Sequence, residues 1–240
     1  MITANAKMTG RAPVLLLAAL LAALIAPPAA AELWQPLDIG STWLYERPDG
    51  QSEIKTIDRV IDIGGAPVTV MLTTVSEWDQ GLEQFWSADP EGDVHLWGWW
   101  RPTDGFGMLY EPPMHWIDAP LVPMSSSFQE DVAFYTLPDT VFAGWYDVEI
   151  VVFEGQWLDL PVGTLFSYGH SGAIEPGDGP EMMPAGVGLD GSRRPRAGAR
   201  GPAEWYSENV GMVLYNAYAL VDFVLTPVGE RTWSAVKALY

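Results

Sequence analysis

Three histidines, 31 carboxylates and 12 tryptophans are the side chains here that could do chemistry or hold a ligand. His95, His115 and His170 are too far apart for the paired-histidine spacing of a zinc hydrolase helix, so a metal site would need all three to meet in space. Loops 89–93 and 175–181 are acidic enough to attract calcium. Neither has the alternating carboxylates of an EF-hand loop, and their Pro and Gly residues mark turns. Asp147 and Glu149 would share one strand face, which meets a glycosidase's need for paired acids only loosely. With 31 acids, such pairs arise by chance. There is no Gly-x-Ser-x-Gly elbow, no phosphate-cradling loop, and no cysteine to act as nucleophile, metal ligand or disulfide. These residues assign no catalytic group, no metal and no cofactor, and they weigh against an enzyme.

The tryptophans are the better lead. Trp97, Trp99, Trp116, Trp145 and Trp157 are candidates to line an apolar or sugar-stacking pocket. The competing reading is that a β-domain without disulfides fills its core with aromatic rings.

The elements that must position them read as strands. Residues 42–47 end at Pro48-Asp49-Gly50. Residues 54–63 alternate, with Ile57, Ile61 and Ile63 on one face, and stop at Gly64-Gly65. Val68, Val70 and Leu72 begin another run. Residues 84–87 and 94–100 flank a hairpin loop. In the latter run Val94, Leu96 and Trp100 fall on one face and His95, Trp97 and Trp99 on the other, so the strand is expected to be covered on both sides or to line a cavity. Residues 110–123 hold four prolines and read as an extended loop packed by Met114 and Trp116. Residues 128–137 and 140–153 resume strands. Residues 174–203 are rich in Gly and Pro, carry four arginines, and read as a long mobile insertion. No window after the N-terminal segment has convincing helical periodicity.

Lys7 and Arg11 precede an apolar run, 14–25, and Ala29-Ala30-Ala31 has the form of a cleavage site. The run is shorter than the about 20 residues of a membrane span. The expected organisation is a signal peptide, 1–31, and one β-rich domain, 32–240. Removing the signal takes away two positive charges, leaving 12 − 2 = 10 against 31 negative, or −21. Such a charge disfavours nucleic acid and anionic lipid. No cysteine stands at the cleavage point for lipidation, so a released, periplasmic or extracellular protein is expected.

Four motifs in order resemble a group of exported bacterial β-rich proteins of unknown activity. Pro36-Leu37 with Gly40, Trp43 and Tyr45 resembles an opening "PL-x-x-G-x-x-W-x-Y". Tyr110-Glu111-Pro112-Pro113 followed by Pro120-Leu121 resembles a central "Y-x-PP … PL". Pro161, Gly163 and Phe166 resemble "vPaGtF", with Leu165 inserted; Trp205, Tyr206 and Gly211 resemble "WyapGVGlV", with Asn209 at a usual Gly. The group is similar to lipoprotein-carrier half-barrels, which implies a strongly curved antiparallel sheet and supplies no catalytic residues. Pro161 and Gly163 also suit a type II turn, and Asn209 tolerates a left-handed conformation.

The expected fold is all-β: a strongly curved antiparallel sheet, half-barrel or barrel-like, with one long Gly/Pro-rich loop. The expected role is binding or carriage of an apolar small molecule, or docking of an envelope protein, on a concave aromatic-lined face. A purely structural module and an uncharacterised hydrolase are the alternatives.

Overall fold

The computed structural model describes residues 34–77, 79–177 and 203–226. The expected signal, most of the expected insertion and the 227–240 tail lie outside these residues. The described chain is all-β. Its strands are β1 (Thr42–Glu46), β2 (Ser52–Ile63), β3 (Ala66–Val75), β4 (Glu83–Ala88), β5 (Val94–Arg101) and β6 (Phe106–Ile117). They continue as β7 (Ser126–Leu137), β8 (Val141–Leu160), β9 (Gly163–Pro176), β10 (Glu204–Ser207), β11 (Gly211–Tyr215) and β12 (Tyr218–Val224). Each pairs antiparallel with its sequence neighbours, and β12 returns to β1, closing a 12-strand barrel. Closure pairs every strand on both sides and leaves no free sheet edge.

The closing seam is reinforced by side chains. Thr42 to Glu46 run against Val224 to Ala219. The Trp43 indole N–H reaches past β12 to donate to the Val210 carbonyl at 2.7 Å. The Tyr45 hydroxyl does the same to the Met212 carbonyl at 2.9 Å. Both rings are buried in the main core, which Ile57, Trp86, Met114, Val132, Ile150, Tyr206 and Leu220 help fill from other strands. Burying one such side chain contributes about 1.5–3 kcal/mol, and this core has no disulfide to assist it.

A second, smaller cluster gathers Val68, Val70 and Phe85, with Ile61, Ile63, Trp97, Trp100 and Leu109 against it. Val70 and Phe85 adjoin Met71 and Trp86 of the main core along their strands, so β3 and β4 are covered on both faces. Bulges account for the split. One lies between Ile57 and Arg59, so Ile57 joins the main core while Ile61 and Ile63 join the second cluster. Another sets Trp97 apart: Leu96 pairs with Trp86 and Gly98 with Phe85, with Trp97 between them unopposed. The expected faces of β5 are corrected accordingly. Trp99 packs with Val94 and Leu96 on the main core, and Trp97 and Trp100 serve the second cluster.

Residues 110–123 are not one extended loop. β6 runs through Pro112 and Pro113 to Ile117. These prolines sit where β6 steps out of register with β5, between Leu109 and Met114, and beyond its last pair with β7 at Glu111. Their missing N–H groups therefore cost no ladder bond. Past that point the Gln129 side chain joins β6 to β7. Its Nε2 donates to the Pro113 carbonyl at 3.1 Å, and its Oε1 accepts from the His115 N–H at 3.1 Å.

Two further expectations shift. The insertion starts later than residue 174, because Ile174, Glu175 and Pro176 still pair with Val148, Asp147 and Tyr146. The stretch around Pro161 folds on itself, Leu158 to Leu160 pairing with Leu165 to Gly163, while Trp205 and Tyr206 meet β9 at Gly169 and Tyr168. The two turn residues are Pro161 and Val162, and the positive φ (131°) falls on Gly163 after them, so the hairpin is not a type II turn with glycine at its third position. Asn209 adopts the expected left-handed conformation, φ 59°.

Gly98 is the position where the β5–β6 contact needs glycine. Its φ is 148°, and a Cβ there would lie 2.1 Å from the Met108 carbonyl oxygen, a backbone atom. Gly98→Ala is expected to lower stability by about 1–3 kcal/mol, read as a lower urea midpoint with an unchanged slope.

Candidate functional site

Side chains facing the barrel interior build two buried polar groups. On β2, Glu53, Lys55 and Ile57 share one face, opposite Tyr45, Trp43 and Met71 of the neighbouring strands. Lys55 Nζ lies 3.2 Å from Glu53 Oε1, the two side chains being only 8% and 2% exposed. Glu53 also accepts from Ser76 Oγ at 3.1 Å and from the Tyr215 hydroxyl. The Lys55 ammonium stands 4.3 Å from the centre of the Tyr215 ring. Burial, with Glu53 adding to it, pushes the Tyr215 hydroxyl's pKa far up.

The second group is His170, Glu204, Tyr206 and Trp116. The Tyr206 hydroxyl donates to Glu204 Oε2 at 2.7 Å and accepts from the Trp116 indole N–H at 3.2 Å. His170 Nε2 lies 2.6 Å from the Trp116 carbonyl, so that nitrogen carries the hydrogen. Its Nδ1 has no hydrogen-bond partner and stands 3.7 Å from Glu204 Oε2. Burial lowers the His170 pKa, against the opposing pull of Glu204. These charges are held by protein partners, and none of Glu53, Lys55, His170 or Glu204 lines a cavity described below. Their partners lie on different strands, so they tie the barrel together.

The candidate ligand site is a groove of about 590 Å³ beside the second cluster. Trp97, Leu109, Tyr110, Pro112, Pro113 and Tyr135 form its walls. The β5 bulge that leaves Trp97 unopposed turns its ring here, and the Trp97 indole N–H is already used, donating to Ser87 Oγ at 2.8 Å. The step in β6 supplies the two prolines. Burial pushes the Tyr110 hydroxyl up to about 12, so that wall stays neutral. No lysine or arginine lines the groove, and Glu111 is its one acid.

The five tryptophans of interest do not share one cavity. Trp97 lies in this groove. Trp157 lies in a separate cleft of about 420 Å³. Trp99 is edge-on to Phe106, with the Arg101 guanidinium 5.7 Å from its ring centre. Trp116 is edge-on to Trp86, and Trp145 packs on Phe142. Of the residues singled out by motif, Trp43 is fully buried, while Pro112 and Pro113 line the groove. Phe166 lies in the second cleft. Motif order placed Pro112 and Pro113 without a role; their contribution to a wall depends on the bulge, which no hydropathy pattern marks.

Of the histidines, His95 and His115 meet edge-to-face at 4.5 Å. Burial and His115 together lower the His95 pKa, against Asp89. No cluster of three His, Cys, Asp or Glu suited to a metal occurs among the described residues.

Two measurements check the buried groups. Lys55→Met leaves Glu53 buried without its cation and is expected to cost about 3–5 kcal/mol by urea unfolding, with Glu53→Gln added to it recovering part of the loss. The lowered pKa of His170 sets a sign: the unfolded chain binds the proton more readily, so stability falls as pH drops below about 6.5 towards the folded value. His170→Gln is expected to flatten the fall in urea midpoint between about pH 7.5 and 5.

No family model matches the chain, and no curated protein matches it. Two solved structures resemble it distantly. One, described as an exported protein with a YmcC-like fold from Bacteroides fragilis, is 13% identical over 81% of this chain and 100% of its own, with a TM-score of 0.38. The other, described as a lipoprotein from Parabacteroides distasonis, is 13% identical over 81% of this chain and 99% of its own, with a TM-score of 0.36. At these values neither likeness bears on what the chain does.

Proposed function

We propose that this is an exported β-barrel protein that binds a neutral apolar small molecule in the Trp97–Tyr110–Pro112 groove. The observation that carries the reading is the groove itself. Its 590 Å³ lies within the about 300–1,000 Å³ typical of small-ligand sites, and its walls are aromatic, aliphatic and proline surfaces. The main core of the barrel is packed with side chains, so binding belongs at this outer cluster rather than in the lumen. Without a lysine or arginine on its wall, the groove has no counter-charge for a fatty acid or other anion. Export rests on the basic, apolar and small-residue segments of the first 31 residues.

A second reading has its own observation. Val141 and Phe142 are 58% and 48% exposed and follow Thr140 on the rim of the same groove. They extend its apolar surface over the start of β8, which suits an envelope protein docking there.

Titration with the neutral dye N-phenylnaphthylamine separates the two readings. Binding is expected, with Trp97→Ala weakening it at least about tenfold and Val141→Ser leaving it unchanged. Dye affinity that is the same in folded Trp97→Ala would exclude the groove as the site.

A further inference from the structure

The hairpin formed by the end of β8 and the start of β9 outruns its neighbours. Pairing of β7 with β8 stops at Val151, and pairing of β10 with β9 stops at Tyr168. Residues 155–167 therefore project beyond the strands on either side, tied back by the Ser207 hydroxyl, which donates to the Phe166 carbonyl at 2.9 Å. Register fixes which face looks where. Gly155 opposes Tyr168 and Trp157 opposes Phe166, on the face that further along β9 carries buried His170. Leu158, Leu160 and Leu165, on the opposite face of the hairpin, pack against the main core, so the Trp157–Phe166 face is left the more open.

That face carries a row of rings. Trp157 meets Phe166 at 5.3 Å, Phe166 meets Tyr168 at 5.4 Å, and Tyr168 meets Trp34 at 5.5 Å, each edge-to-face. All four line the 420 Å³ cleft, together with Thr164 and Glu208. The row has a purpose-made seat. A Cβ on Gly155 would stand 2.5 Å from Phe166 and 2.8 Å from Tyr168, so glycine leaves room for both rings against the β8 backbone. Trp157 is 69% exposed and Phe166 39%, on a chain whose other charges keep its surface strongly acidic. Rings in contact along a row, with Trp157 and Phe166 left open to water at its outer end, mark a binding face.

The walls select the occupant. A pyranose presents a face of C–H groups, weakly positive, which suits the negative face of an aromatic ring, and an edge of hydroxyls, which suits carboxylate and hydroxyl acceptors. The cleft offers both: the rings of Trp157, Phe166 and Tyr168 are among its walls, as are the Glu208 carboxylate and the Ser207 and Thr164 hydroxyls, with Pro120, Leu121 and Leu165 completing the lining. An acyl chain would leave those polar groups facing hydrocarbon. No lysine or arginine lines the cleft, so an acidic sugar or phosphate would meet only negative charge. We infer that this rim cleft is a carbohydrate-binding site for neutral hexopyranose glycans, distinct from the Trp97 groove and independent of its role.

The purified protein should be screened on a printed array of neutral glycans, and positives titrated by calorimetry. Binding is expected, and Trp157→Ala is expected to weaken it at least about tenfold, while Trp157→Phe retains most of it. Trp97→Ala should leave it unchanged, so failure here and failure at the groove are separable. Circular dichroism of Trp157→Ala confirms folding, as its exposure predicts. An array without a positive, glycan affinity equal in Trp157→Ala, or Trp157-dependent binding to phosphatidylcholine vesicles in place of glycans would each overturn the inference.

Discussion

The structure depends on one closure. Eleven of the twelve junctions in the barrel join strands that are neighbours in sequence, and short turns make most of those pairings local, although residues 177–203 separate β9 from β10. The twelfth, β1 against β12, has no turn to fix its register. Its register is set instead by Trp43 and Tyr45, whose polar ends reach the carbonyls of Val210 and Met212 two strands away. A slip of one residue would turn both rings outward and bury the polar face of β1. The Glu53–Lys55 pair sits beside this seam, and its bonds to Tyr215 link β2 to β11 across it. Charged groups so placed favour one closure over near alternatives at a cost in desolvation.

Both candidate sites arise from departures from regular pairing. The Trp97 groove exists because β5 holds one extra residue and β6 steps past four. The rim cleft exists because β8 and β9 are longer than the strands beside them. Here the core remains filled, and the irregularities supply concave surface. Both cavities have aromatic rings and one acid in their walls; the groove adds the Pro112–Pro113 pair, and the cleft has the largely exposed ring of Trp157.

The fold class was legible in the sequence, and the reasons are local. Ile57 alternates with polar neighbours, and Gly64-Gly65 closes a hairpin where the chain turns. Asn209 takes the conformation its side chain tolerates. What was not legible depends on single residues that invert a strand's faces. Asp58 breaks the alternation that would have set Ile57, Ile61 and Ile63 on one side. Trp97 does the same in β5, which moved Trp99 and Trp100 to opposite faces from those expected. Nothing local marks Glu53 and Lys55 as buried, because their partner Tyr215 lies some 160 residues away. Pro112 and Pro113 argued against a strand, since proline shows that an N–H is missing and not whether a ladder needed it. The five tryptophans lie in separate places, Trp157 largely exposed, and that dispersal followed from register, which composition does not encode.

The meander has a consequence for how the chain folds. Hairpins from β1 to β12 form from contacts close in sequence, which is the quick part of folding. Closure instead joins residues 42–46 to 219–224, nearly the whole described length apart. Until β12 arrives, β1 presents an unsatisfied row of backbone donors and acceptors, and an open curved sheet presents its apolar concavity. The slow, collision-prone interval is therefore the last one, and a chain emerging N-terminus first waits in that state for its final strand.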